Sequence, residues 1–228
     1  MSWTDWVRGA EIEPSIYAAD FSRLGEQIET LMTAGARIFQ FDVGDGHFVE
    51  PITIGPVVLK SISPLVHRLG GRGVLDCHLM IERPEKHFQA IADAGGDSVT
   101  VHYEACEDLA GVIAQARELE LGVGVAFNPE TEPDDVVAAA GELVDLVLCM
   151  SIHPGYSGQE FMPETIPRVR RLRELLPQRV HVQVDGGVGP DNVSELREAG
   201  VNLFVAGTSV FGHEDLSEAY RRLVQALG

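Results

Sequence analysis

Lysine is almost absent from this chain. Lys60 and Lys86 are the two that occur in 228 residues, and every other permanently basic side chain is arginine. Positive charge is short altogether, with 17 Lys and Arg against 35 Asp and Glu and a net charge of −18. Nucleic acid and anionic membranes are recognised through basic patches, so neither is expected as a partner. An anionic small molecule remains admissible if locally directed donors hold it, such as backbone N–H groups at the start of a helix. Cysteine is limited to Cys77, Cys106 and Cys149, an odd number with no metal-like spacing. That argues against a disulfide framework and suits free thiols in a reducing cytoplasm. Long apolar runs are missing too: none approaches the roughly 18 residues a membrane-spanning helix needs. The opening MSWTDWVRGAE has neither the basic patch nor the apolar stretch of a signal peptide. A cytoplasmic protein is the expectation. No linker, composition break or low-complexity tract divides the chain, so one domain over 1–228 is expected, with 1–10 as a short N-terminal arm.

What is present is alternation. Short apolar or β-branched runs fall near 12–17, 38–43, 74–80, 98–102, 123–127, 146–151, 180–184 and 203–206. Stretches with helical spacing lie between and after them, near 21–33, 56–63, 84–93, 109–119, 134–144, 166–176, 192–199 and 216–227. Several end in AGA, AGG or EAG, with glycine where a helix C-cap wants it. Eight such βα units predict an α/β fold, a single (β/α)8 barrel of the TIM type, for which about 250 residues is typical. A doubly wound open sheet is the alternative. It wants a glycine-rich turn after the first strand, and Tyr17-Ala18-Ala19-Asp20-Phe21 has none.

In such a barrel the active site lies at the C-terminal ends of the strands. Unusual polar residues fall at those ends: Ser15, then Gln40 and Asp42, Asp76 and His78, His102 and Glu104, Asn128, and Asp185. Gln40 and Asp42 interrupt the otherwise apolar run IFQFDV, and being two apart they share a face. A buried carboxylate needs a partner. Taken alone, His78 reads as a hydrogen-bonded core histidine and Asp42 as a structural acid; their joint placement on one rim points to chemistry. Two carboxylates and an imidazole suit a divalent Zn, Mn, Fe or Co ion. They equally suit paired acid–base catalysis from two sides of a substrate, and the two readings are compatible. His102 and Glu104, by contrast, read as support.

Two late loops suggest phosphate. VDGGVGPDN places Gly186 and Gly187 after the seventh strand, and VAGTSVF places Gly207 and Thr208 after the eighth. Loops in those positions frequently bind phosphate through backbone N–H groups. A third glycine loop, HPGYSGQEF, follows the sixth strand. Lys60 and Lys86 fall inside expected helices, so a Schiff-base aldolase, or a decarboxylase relying on a strand-end lysine, is disfavoured.

PSIYAADFSRLG, FDVGDGHFVEPITIGP, LDCHLMIERPE, VTVHYEA, MSIHPGYSGQEF, QVDGGVGPDN and VAGTSVF follow one another in order. Along almost its full length the chain resembles the ribulose-phosphate 3-epimerase family. The resemblance implies interconversion of ribulose 5-phosphate and xylulose 5-phosphate at C3 through an enediolate, with a divalent metal ion (Zn, Mn, Fe, Co or Mg). It implies Asp42 and Asp185 as acid–base residues that also bind the metal, and His78 as a metal ligand near the substrate. Ser15 would contact the sugar. Gly186, Gly187, Gly207 and Thr208 would hold the phosphate, and the loop Gly155-Tyr156-Ser157-Gly158 would close over it. Family members often form homo-oligomers.

The chain also departs from the family pattern. Gln40 stands where the family has a metal-ligating histidine, Gly44 where it has methionine, Tyr17 where it has leucine, and Ser157 replaces a loop glycine. An amide oxygen is a harder, weaker ligand than imidazole for transition metals, which makes Gln40 a doubtful ligand. Three readings stay open: a retained metal shifted towards Mg or Mn, another ketose phosphate such as allulose 6-phosphate as substrate, or a metal-free sugar-phosphate-binding regulator without turnover.

Overall fold

The computed structural model describes residues 3–68 and 73–228. Its strands β1 (Glu11–Pro14), β2 (Ile38–Gly44), β3 (Val74–Met80), β4 (Ser98–His102), β5 (Gly122–Phe127), β6 (Leu146–Met150), β7 (His181–Asp185) and β8 (Leu203–Ala206) are all parallel. Their order is β1-β8-β7-β6-β5-β4-β3-β2. A parallel bridge between Ser15 and Gln40 joins the two ends of that sheet, making a (β/α)8 barrel. Helices α2 (Leu24–Ala34), α3 (Pro56–Arg68), α4 (Phe88–Ala94), α5 (Leu109–Glu118), α6 (Pro133–Ala140), α7 (Thr165–Leu175) and α8 (Val193–Ala199) alternate with the strands. A short α1 (Trp3–Trp6) precedes β1, and α9 (Thr208–Phe211) and α10 (Leu216–Leu227) follow β8.

The two sides of the strands differ in what they meet. Phe39, Phe41, Leu75, Leu79, Val99 and Val101 join the helices in one large core cluster. The other side is the barrel interior, where Ile38, Val74, Leu146, Leu148 and Leu203 cluster with Trp3 and Trp6. The tryptophans, 5.2 Å apart edge to face, therefore pack the N-terminal arm against the barrel floor. Because side chains alternate, Gln40 and Asp42 share the interior side with Ile38. Gly35 closes α2 at φ +116°, as the AGA signal predicts. Asp215 caps α10 by accepting the Glu218 N–H, and Leu216, Tyr220, Leu223 and Leu227 bury one side of that helix.

Several boundaries differ from the sequence reading, among them the ends of β1 and α3. β1 ends at Pro14 rather than near 17, because the chain bridges to β2 at Ser15 and then turns through a 3-10 segment at Ile16–Ala18. The expected stop at 63 does not hold, since α3 runs through Pro64 to Arg68. Proline removes one backbone hydrogen bond there, but Leu59, Ile62 and Val66 are buried along one side and hold the helix on the barrel.

Between the apolar floor and the rim lies a buried polar layer. Gln183 Nε2 donates to Glu13 Oε2 at 2.6 Å and to Asp76 Oδ2 at 3.1 Å. Asp76 Oδ1 accepts from Ser98 Oγ at 2.7 Å and Thr100 Oγ1 at 3.3 Å. Asp76 thus belongs to this layer and not to the rim. Burial, followed by the charge of Asp76, raises the Glu13 pKa well above the ordinary glutamate value. A raised folded-state pKa contributes stability below the unfolded value that is lost as pH rises towards the folded one. Glu13→Gln is therefore expected to gain thermal stability over the wild type, with a gap wider at pH 8 than at pH 5. Melting curves at the two pH values check this; a gap that narrows as pH rises contradicts it.

Candidate active site

β2 and β7 bring the two rim carboxylates together across the barrel mouth. Asp42 Oδ2 accepts from Ser15 Oγ at 2.6 Å. Asp42 Oδ1 accepts from Gln40 Nε2 at 2.8 Å and faces His78 Nδ1 at 2.9 Å. The same Gln40 Nε2 donates to Asp185 Oδ2 at 2.8 Å, which stands 3.7 Å from His78 Nδ1. A buried carboxylate is costly unless donors meet it; here Ser15, Gln40 and His78 do so. Gln40 Oε1 is buried without a hydrogen-bond partner.

Neighbouring loops fix the backbone that carries these groups. Thr53 Oγ1 donates to the Asp42 carbonyl at 2.7 Å and accepts from the Gly44 N–H at 2.6 Å. Ser151 Oγ lies 2.8 Å from the Asp185 carbonyl and 2.6 Å from that of Gly186. A Cβ at Gly44 would stand 2.8 Å from the Pro51 carbonyl and 3.0 Å from a Val49 methyl. The segment around Val49–Thr53 has taken the space a side chain at 44 would need.

The electrostatics follow from burial and proximity. Asp185 is pushed up to about 7, by burial first and by the charge of Asp42 second. For His78 burial works against the protonated ring, but the hydrogen bond and charge of Asp42, with Asp185 and Asp76, outweigh it and raise the pKa. His102 is lowered to about 4, chiefly by burial. Burial alone would raise Glu104; hydrogen bonds from His102, Thr131 and the Asn128 N–H overcome it and bring the group to about 2.

Above this cluster opens a pocket lined by Ser15, Tyr17, Asp42, Asp185, Gly186, Gly187, Gly207, Thr208 and the segment Gly155-Tyr156-Ser157-Gly158. The pocket thus gathers every residue to which the resemblance assigns a role except Gln40 and His78, which lie buried beneath it with 0% exposure, while Asp76, His102, Glu104 and Asn128 do not line it. Met80, Met150, Ile152, Val188 and Val205 also line it and were missed. Apolar side chains at strand ends look like core in a sequence, so their only signal is position. Gly187 sits at φ +62°, and a Cβ there would stand 2.6 Å from the Phe161 backbone nitrogen. The glycine is required both by conformation and by close approach. Tyr156 donates its hydroxyl to Glu50 at 3.1 Å, tying the β6 loop to the loop after β2.

The donor set can be tested for a divalent cation. One ligand atom each from Asp42, His78 and Asp185 lies within 4.8 Å of the others. Donors on one ion at about 2.1 Å stand roughly 3–4 Å apart, so small side-chain shifts would complete the set. Two carboxylate oxygens and an imidazole suit Mn, Fe, Co or Zn, and the three residues fit such an ion. Gln40 presents its amide nitrogen to the carboxylates, so serving as a ligand requires turning the amide by about 180° about its last bond. Among the described residues no other such cluster occurs, and no helix is long and apolar enough to cross a membrane.

Comparison with known proteins supplies context for this geometry. The model of the ribulose-phosphate 3-epimerase family matches residues 11–211. The ribulose-phosphate 3-epimerase of Synechocystis sp. is 43% identical over 213 residues, covering 91% of this chain and 90% of that protein. That of Bacillus subtilis is 38% identical, covering 92% and 95%, and that of Escherichia coli K12 is 35% identical, covering 95% and 93%. Among solved structures, the tryptophan synthase alpha-subunit of Pyrococcus furiosus superposes with a TM-score of 0.71 at 16% identity, covering 97% of this chain and 98% of that one. At that identity the likeness is one of fold.

Proposed function

The chain belongs to the ribulose-phosphate 3-epimerase family and is an isomerase; from that premise we propose that it interconverts D-ribulose 5-phosphate and D-xylulose 5-phosphate by proton transfer between two carboxylates. The observation that carries this reading is the placement of Asp42 and Asp185 on β2 and β7, strands separated by β1 and β8, with both carboxylates tied through one amide nitrogen at 2.8 Å from each.

Inverting C3 of a ketose requires removing a proton from one side of the carbon and returning one to the other. A carboxylate on each side does both without moving the substrate. One carboxylate must give up a proton as the other takes one; in the ion-free site burial and the Asp42 charge raise the Asp185 pKa to about 7, which makes Asp185 the candidate donor. Reversal of the two roles runs the reaction backwards. Ser15 positions the Asp42 carboxylate and lies where a sugar hydroxyl would approach. Backbone N–H groups of Gly186, Gly187, Gly207 and Thr208 receive the phosphate, a local arrangement that an acidic protein needs. The loop of Gly155, Tyr156, Ser157 and Gly158 covers the substrate and keeps water from the enediolate. Asp42, His78 and Asp185 would hold a divalent cation, which when bound supplies Lewis-acid stabilisation of the charge developing on the substrate oxygens.

Incubation with ribulose 5-phosphate in the presence of Mn, Zn, Fe, Co or Mg tests this reading. Xylulose 5-phosphate is expected to appear, faster than allulose 6-phosphate is epimerised in parallel. Preferential turnover of the hexulose phosphate, or binding without product for either, contradicts it.

A further inference from the structure

Three hydrogen bonds run in series from the pocket floor to the outside of the rim, and their donors and acceptors can be counted. Glu104 Oε1 accepts from the Asn128 N–H at 2.8 Å and from the Thr131 hydroxyl, which fixes that oxygen as an acceptor. Its other oxygen faces His102 Nδ1 at 3.4 Å, the long member of the chain. The far edge of the same ring, Nε2, stands 2.9 Å from His78 Nε2. The near edge of His78, Nδ1, points at Asp42 and Asp185. Both rings are fully buried, and the Phe48 ring lies 4.7 Å from that of His102.

One proton fits between two ring nitrogens 2.9 Å apart. If a cation sits among Asp42, His78 and Asp185, it takes the Nδ1 lone pair of His78, and the ring proton must then be on Nε2. His102 Nε2 is therefore the acceptor, so the His102 proton lies on Nδ1. An ionised carboxylate, having lone pairs only, is the partner that Nδ1–H needs. We propose that Glu104 and His102 are positioning residues that set the tautomer of His78, so that Nδ1 is its cation-binding atom. Outer partners of this kind keep a ligand ring oriented and electron-rich. The inference rests on the cation reading above and deepens it.

Glu104→Gln is the informative substitution. The Asn128 N–H and Thr131 hydroxyl keep the amide oxygen on their side, which turns the amide N–H towards His102 Nδ1. His102 must then carry its proton on Nε2, pushing the proton of His78 onto Nδ1, where the cation would bind. Mn2+ titration of the full chain should show affinity reduced by about 10- to 100-fold, with Glu104→Asp, which restores a carboxylate, recovering part of it. Long-range 1H–15N spectra of the histidine-labelled wild type with Zn2+ should show His102 protonated on Nδ1 and His78 on Nε2, whether or not the variants fold. His102 protonated on Nε2 in the wild type, or unchanged Mn2+ affinity in a folded Glu104→Gln, overturns the proposal. A wild type that takes up neither ion overturns it together with the cation reading. If the tautomers are as expected and ribulose 5-phosphate is left unchanged, the relay stands and the epimerase assignment falls.

Discussion

Asp185→Asn is expected to slow epimerisation by about 10²- to 10⁴-fold, the scale of losing a positioned acid–base group. Asparagine keeps the shape and an oxygen able to accept the Gln40 N–H, but it can neither take a proton from C3 nor return one. The fold should be spared, and even favoured. Asp185 is pushed up to about 7 by burial and by the neighbouring Asp42 charge, so a neutral side chain removes an unfavourable pairing. One finer consequence follows from having two bases. With Asp42 intact, at most one of the two epimers can still exchange its C3 proton, and neither should be converted to the other. Steady-state rates with each pentulose phosphate, together with a thermal melt, check both parts. Turnover within tenfold of wild type would remove Asp185 from the reaction.

Gln40→Leu is expected to reverse the emphasis, damaging stability before chemistry. Its amide nitrogen is the donor shared by Asp42 and Asp185, at 2.8 Å from each. Hydrogen bonds to charged groups contribute about 1.5–3 kcal/mol each, and leucine removes both while leaving the buried Asp42 and the partly buried Asp185 facing one another. Protonation of one carboxylate offsets part of the loss, so about 3 kcal/mol is expected at neutral pH. For a chain of this size that corresponds to a fall in Tm of roughly 6–12 °C. Excess Mn2+ should narrow the gap, because the ion meets carboxylates freed of the amide N–H in the variant, binds its folded state more tightly than the wild type's, and so raises its apparent stability more. Calorimetry with and without the ion measures both effects. An unchanged Tm in the ion-free protein would mean that the amide does not hold the carboxylates together.

The barrel was legible because its strands are buried on both sides. Runs such as 74–80 and 146–151 read as strands whatever the residues between them do, and the eightfold alternation leaves little room for another topology. Asp42 and Asp185 were legible for the opposite reason, as charged groups where apolar ones belong. What the sequence hides is adjacency across strands. Asp76 and His78 are two apart on β3 and look alike, yet Asp76 is engaged by Gln183, Ser98 and Thr100 below while His78 meets Asp42 above. Which layer each joins depends on strand register, with Gln40 opposite Asp76 and Asp42 opposite His78. Gln40 itself reads as a doubtful metal ligand in the sequence; in the structure its amide nitrogen is the hydrogen-bond donor between two acids. His102 and Glu104 read as support, and the direction of the support appears only when the two ring nitrogens are seen at 2.9 Å.

Proton NMR of ribulose 5-phosphate in D2O, with the wild-type chain and Mn2+ removed before acquisition, is the most direct test of two-carboxylate proton transfer at C3. Xylulose 5-phosphate carrying solvent deuterium at C3 is the expected result. Bound substrate that neither exchanges at C3 nor changes configuration, with any of the cations, would contradict it.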